Sequence, residues 1–102
     1  MAVQIFFIYA DNCKHCAAAL KTIHEAVEKS KVECEVLEFL FSTPVALNIA
    51  RKNGIDDLPG FVIGQGEAVF KGDDYTEEAI VGAIKNIAKE LSMEMQGGNN
   101  GN

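Results

Sequence analysis

The most constraining feature of this chain is a change of hydrophobic period near its N-terminal end. Residues 3–9, Val-Gln-Ile-Phe-Phe-Ile-Tyr, form an apolar, aromatic and β-branched run, which suits a central strand covered on both faces. Asp11-Asn12 breaks the run. From Cys16 onward, Cys16, Ala19, Leu20, Ile23 and Val27 recur at three- and four-residue steps, with Lys21, Glu25, Glu28 and Lys29 between them. That pattern predicts an amphipathic helix over about residues 14–30. A close cysteine pair, Cys13-Lys14-His15-Cys16, therefore sits where a strand turns into a helix.

The remainder of the chain continues the alternation. Val32 to Phe39 reads as a second strand, with Val32, Cys34 and Val36 on one face and Glu33 and Glu35 on the other. Thr43-Pro44 is a helix start, an N-cap hydroxyl followed by proline at the first helical position, and Gly54 is its stop. Asp57-Leu58-Pro59-Gly60 is a turn. Phe61-Val62-Ile63 and Ala68-Val69-Phe70 flank a glycine loop at Gly64-Gln65-Gly66, which predicts a β-hairpin. A last helix starting near Asp74 to Thr76 carries Ile80, Ile84, Ile87 and Leu91 at helical spacing. The order is β-α-β-α-β-β-α. A strand–helix–strand start implies a right-handed parallel crossover and the hairpin adds an antiparallel pair. The expected fold class is α/β, a four-stranded mixed sheet with helices on both faces.

A chain of 102 residues is one domain, long enough to bury roughly two-thirds of its unfolded surface. Residues 1–92 are assigned to that domain and 93–102 to a flexible polar tail, since Gly97 to Asn102 carries no apolar residue. A net charge of −6 argues against nucleic acid as a partner, because phosphate binding draws on Lys and Arg. No segment approaches the length of about 20 apolar residues that crossing a membrane takes. The apolar start resembles a signal peptide, but no basic residue precedes it and cleavage would cut into the cysteine pair. The reading is a cytoplasmic protein, expected to be a monomer. Three cysteines, only two of them close together, do not make a disulfide framework. A close pair in a reducing compartment is catalytic or metal-binding.

Thiol–disulfide exchange needs a thiolate, and a free cysteine ionises at about 8.5. The first turn of a helix has unpaired N–H groups and roughly half a positive charge. A thiolate on Cys13 at that end would accept those N–H groups, with Lys14 and His15 adding positive charge and Asp11 opposing it. Cys13, at the lip of the turn, is the expected attacking thiol. Cys16, one turn on and at the head of the apolar stripe, is the expected resolving thiol, which breaks the mixed disulfide formed with a substrate. A metal or iron–sulfur site using the same pair is the alternative, with Cys34 and His24 as the remaining ligands. Cys34 shares the face of Val32 and Val36 and reads instead as a core thiol, and His24 as a solvated helix residue. A redox-inactive adaptor is the third reading.

Together these features resemble the thioredoxin–glutaredoxin superfamily over about residues 3–91, and most closely its small glutaredoxin-like thioredoxins. The strand, the Cys13-Lys14-His15-Cys16 turn and the following helix resemble its first half. Asn53 to Gly64, with Leu58-Pro59-Gly60 inside it, resembles its second signature. The resemblance implies a thioredoxin-like fold and a cis bond at Pro59 beside the cysteine pair. It also implies substrate positioning by the backbone of Leu58, and tuning of the couple by His15 and Lys14. Gly72-Asp73-Asp74 resembles a glutathione-holding segment, although Lys71 replaces one of its glycines. A turn with a helix cap from Asp74 to Glu77 is the competing reading. The chain departs from thioredoxins at Asn12, where a tryptophan is usual, at Gly60, where threonine is common, and in a first strand whose one polar residue is Gln4. The implied activity is a dithiol–disulfide oxidoreductase needing no metal or organic cofactor. Its expected partners are a disulfide-containing protein or small thiol as substrate and a reductase or glutathione as electron donor.

Overall fold

β1 (Val3–Tyr9) is the spine of the molecule, and the apolar run that builds it is covered on both sides. The computed structural model describes residues 2–100, with the side chains of 93–100 excepted. Along the chain follow α1 (Cys16–Ser30), β2 (Cys34–Leu40), α2 (Pro44–Asn53), β3 (Gly60–Ile63), β4 (Ala68–Lys71) and α3 (Glu77–Asn100). The sheet order is β2-β1-β3-β4. β2 runs parallel to β1, in register Val3 with Cys34, and β3 runs antiparallel to it, with Ile8 facing Gly60. β4 closes the hairpin against β3. This is the mixed four-stranded α/β architecture expected from the alternation of periods.

The period of two splits the core in half. Val3, Ile5 and Phe7, with Phe61 and Ile63, face Ala19, Ile23 and Ala26 of α1 and Ile80, Ile84 and Ile87 of α3. Ile8 and Val62 face the other way, against Ala46 of α2 and Ile55, with Phe6, Phe39 and Ile49 at the margin. Each fully buried branched or aromatic side chain is worth about 1.5–3 kcal/mol of transfer free energy, so β1 and β3 hold both layers. Phe61 carries the densest part, with ring centroids 4.8 Å from Phe70 and 5.8 Å from Tyr75.

Element ends show where the local signals sufficed. Thr43 caps α2, its Oγ1 accepting the Ala46 N–H at 3.3 Å, and Gly54 ends the helix at φ 68°. Two starts differ from the expectation. β2 begins at Cys34 rather than Val32, because the Val32 N–H donates to Ser30 Oγ in the turn after α1. α3 begins at Glu77, and its cap is Thr76, whose Oγ1 accepts the Ala79 N–H at 3.1 Å. The cap expected from Asp74 to Glu77 is not formed. Asp74 belongs to the preceding turn, where its N–H donates to Lys71 C=O. The backbone of α3 continues to Asn100, while the side chains of the polar tail expected over residues 93–102 lie outside the described residues. Among the described residues no helix is long and apolar enough to cross a membrane.

Candidate functional site

The cysteine pair occupies a turn between β1 and α1, and helix α1 starts at Cys16 itself, two residues later than the apolar period suggested. The reason is the turn. The Cys13 N–H is drawn back to Ala10 C=O at 3.2 Å, and the first helical bond runs from the Ala19 N–H to His15 C=O at 3.0 Å. His15 is the N-cap residue but its side chain caps nothing, and the first turn carries no acidic residue. The N–H groups of Cys16, Ala17 and Ala18 therefore lack intrahelical acceptors, as at any helix start, and no carboxylate of their own turn occupies them.

Cys13 and Cys16 are joined as a disulfide, with Cα atoms 5.5 Å apart. The two sulfurs are not equivalent. Cys13 is half-buried at the surface, whereas Cys16 is 6% exposed and packs into the α1–α3 side of the core. Lys14 and His15, the candidate tuning residues, are both exposed. Gln4, the one polar side chain of β1, is exposed at the strand's far end and donates to Glu35 Oε1 at 3.2 Å. Among the described residues Ser30 is the one buried polar side chain, so no buried carboxylate lies beneath the pair.

The second segment arrives across the sheet. Gly60 pairs with Ile8, which places Pro59 level with Tyr9, at the end of β1 from which the cysteine turn departs. The Leu58–Pro59 bond is cis, as the resemblance implied, and Pro59 is fully buried. Leu58 is half-buried and packs against the α2 side of the core. Its N–H donates to Asp57 Oδ1 at 2.9 Å. Gly60 is buried against Ile55, whose Cγ2 stands where a side chain at position 60 would begin, which explains glycine there in place of a larger residue.

The segment Gly72-Asp73-Asp74 is brought to the same end of the sheet. Gly72 lies in the left-handed region at φ 62°, buried, with its N–H donating to Pro59 C=O at 2.8 Å. Asp73 and Asp74 are exposed, and the Asp74 N–H is taken by Lys71 C=O. Asp56 pairs with Lys71 at 2.9 Å, which holds the Asp56 carboxyl below and the Lys71 ammonium above their ordinary ranges. Sequence reasoning missed Asp56 and Asp57. Their signal, two acids directly before Leu-Pro, reads in sequence as ordinary turn composition.

Cys34 stands apart from this end. It is half-buried on β2, its Sγ donating weakly to Val32 C=O at 3.4 Å, and burial pushes its thiol above the ordinary range. His24 is exposed on α1. Among the described residues no three His, Cys, Asp or Glu side chains converge as a metal site would require.

No protein-family model matches the sequence, and no curated protein matches it. Solved structures do match the fold. Thioredoxin-2 of the malaria parasite, described as a component of that organism's protein secretion machinery, is similar with a TM-score of 0.59 and 16% identity, over 83% of this chain and 82% of that one. An uncharacterised thioredoxin-like protein from Clostridium perfringens is similar with a TM-score of 0.65 and 16% identity, over 88% of this chain and 71% of that one. Thioredoxin 1 from the thermophile Thermosipho africanus is similar with a TM-score of 0.57 and 14% identity, over 87% and 98% of the two chains. The chain has a thioredoxin-like fold.

Proposed function

We propose that this thioredoxin-like chain is a thiol–disulfide oxidoreductase that passes two electrons between the Cys13–Cys16 pair and a disulfide substrate. The observation that carries the reading is the inequivalence of the bonded pair, with Cys13 at the surface and Cys16 in the core. A sulfur that reaches the surface can meet an external disulfide, and a buried one a helical turn away can reach only its partner.

In the reducing direction the Cys13 thiolate attacks one sulfur of the substrate disulfide. A Cys13–substrate bond forms, the substrate S–S bond breaks, and the departing thiolate takes a proton from solvent. Cys16, having lost its own proton, then attacks Cys13 Sγ. The Cys13–Cys16 bond re-forms and the second substrate thiol leaves with a proton. Two electrons have gone from the protein dithiol to the substrate, and an external donor, either a reductase or a pair of glutathione molecules that leave as glutathione disulfide, restores the pair. The free N–H groups at the start of α1 favour the Cys13 thiolate, with Lys14 adding positive charge nearby and Asp11 opposing it. Leu58 and the cis Pro59 would seat the substrate backbone. No metal or organic cofactor is needed, because the dithiol carries the electrons.

Equilibration of the pair in glutathione or dithiothreitol buffers tests this. A reversible two-electron couple in the range of about −270 to −200 mV fits a reductant, and a value near about −120 mV an oxidant. A Cys16→Ser protein should accumulate a mixed disulfide at Cys13 when mixed with a disulfide substrate, visible by mass spectrometry, and a Cys13→Ser protein should not. Failure of the pair to form a disulfide at any poise would sink the reading.

A further inference from the structure

The end of the sheet remote from the cysteine turn carries a groove. A cavity of about 530 Å³ opens where β1 begins, with the apolar Val3, Ile87 and Leu91 inside it and the exposed Glu35, Glu67 and Glu90 at its rim. A second cavity of about 440 Å³ shares Glu67, Ile87 and Glu90 with the first and continues along α3 past Ala79, Gly82, Ala83 and Asn86. Among the described residues no lysine, arginine or histidine lines either one. Two of the carboxylates are held in place. Glu67 accepts the Gln65 N–H at 3.0 Å, and Glu35 Oε1 accepts from Gln4 Nε2 at 3.2 Å. Among the described residues none of the three has a cation partner.

The α3 wall carries a second, separate feature. Ala79, Gly82, Ala83 and Asn86 follow three- and four-residue steps and so form one stripe of short side chains along the helix. Gly82 is exposed in the middle of α3, and a methyl group placed on it would meet nothing within 4 Å. Glycine is the least favourable residue after proline in a helix interior, and no contact within the chain requires it here. A second helix packed closely on that stripe would require it, because the side chains at the crossing set how near two helix axes come.

We propose that this groove is the docking surface for an amphipathic helix of a partner protein, apolar along one stripe and carrying lysine or arginine on its flanks. The apolar stripe lies on Ile87 and the Gly82 wall, and the basic flanks reach Glu67 and Glu90. A second copy of this chain is the poorer occupant, because it brings the same carboxylates and a net charge of −6 to the contact. The groove opens at the start of β1 and the cysteine turn follows its end, so a partner held there leaves Cys13 open to substrate. Docking there does not depend on the chemistry of the pair.

The probe is a synthetic peptide of about 18 residues, several helical turns. It has leucine at three- and four-residue steps, lysine on both flanks and one tryptophan, a residue this chain lacks. Tryptophan fluorescence reads binding to the full chain, and amide shifts in nuclear magnetic resonance read where the peptide sits. The shifts should be confined to Ala79 through Leu91 of α3, to Glu67 and Ala68, and to the start of β1. The double variant Glu67→Gln/Glu90→Gln should weaken binding about two- to tenfold, and a peptide with glutamate in place of lysine should not bind. Gly82→Leu should abolish binding while raising the thermal midpoint by roughly 2–8 °C. A glycine needed for the fold would lower the midpoint instead. No binding of the lysine peptide, equal affinity for the glutamate peptide, or shifts on another face overturns the proposal. So does a lowered midpoint or undiminished binding in Gly82→Leu. Self-association of the free chain through α3 would make the occupant a second copy, and shifts confined to the β4 edge would make it a strand, and either overturns the proposal too.

Discussion

Reduction of Cys13–Cys16 should lower the stability of the folded protein by about 1–2 kcal/mol, and the sign of that change fixes the direction in which the pair works. The two cysteines are three residues apart in sequence, so the bridge closes a very short loop. In the chain-entropy model a loop of about four residues restricts the unfolded state by ~2 kcal/mol at room temperature. Against this stands whatever the reduced form gains when the Cys13 thiolate meets the free N–H groups at the start of α1. Such a helix end is worth ~0.3–1 kcal/mol at an exposed position. The crosslink is the larger effect, and the oxidised form should be the more stable. By the thermodynamic cycle, the folded pair is then more reducing than an unfolded one by roughly 20–40 mV, since 30 mV corresponds to about 1.4 kcal/mol for two electrons.

Urea unfolding followed by circular dichroism reads all of this. The oxidised protein, the reduced protein and the Cys13→Ser/Cys16→Ser double variant are compared at one pH. The gap between the oxidised protein and the double variant isolates the crosslink. The gap between the reduced protein and the double variant isolates the thiolate. A thermal midpoint roughly 4–15 °C higher for the oxidised form matches the same free energy. A reduced form as stable as the oxidised form, or more stable, would refute the reasoning. The helix end with Lys14 and His15 would then outweigh the crosslink, and the pair would run as an oxidant.

Gly60→Ala should cost about 1–3 kcal/mol by driving a methyl group into the stiff, β-branched Ile55. Combining it with Ile55→Ala should cost less than the sum of the two single changes in a double-mutant cycle. Thr76→Ala should lower the unfolding free energy by about 1 kcal/mol through loss of the α3 cap, and Asp74→Ala by much less, read by urea unfolding. Because burial raises the Cys34 thiol in the folded state, the unfolded chain loses that proton first. This contribution is whole below the ordinary thiol range of about 8.5 and fades as pH rises above it. Urea unfolding between neutral and alkaline pH should show the decline, and a Cys34→Ser protein should lack that part of it.

Features carried by neighbouring residues were legible in the sequence. Thr43-Pro44 and Gly54 bracket α2 as read, and the change of period at Cys16 located both the strand and the helix that hold the pair. The misplaced boundaries share a cause. At Val32 and Asp74 the apolar period or cap spacing pointed one way, and a side-chain or turn hydrogen bond from Ser30 or Lys71 took the backbone group first. Harder to read were contacts that exist only once the sheet has formed. Gly60, where threonine is common in thioredoxins, is dictated by Ile55, which stands where its side chain would begin. The turn at Gly72 is local in sequence, but the bond from its N–H to Pro59 C=O forms only when β4 has returned beside β3.

Asp57 is the sharpest case. Its sequence neighbour is Leu58, so the hydrogen bond between them is local. Its other carboxylate oxygen fills the space that a side chain at Gly72 would occupy, a contact that exists only once β4 has returned beside Pro59. The cysteine chemistry could be argued from four residues because spacing alone constrains it. The contact of Asp57 with Gly72 could not, because only the finished sheet makes it. Changes in the cysteine turn should therefore move rates on every disulfide together, whatever flanks the substrate sulfurs.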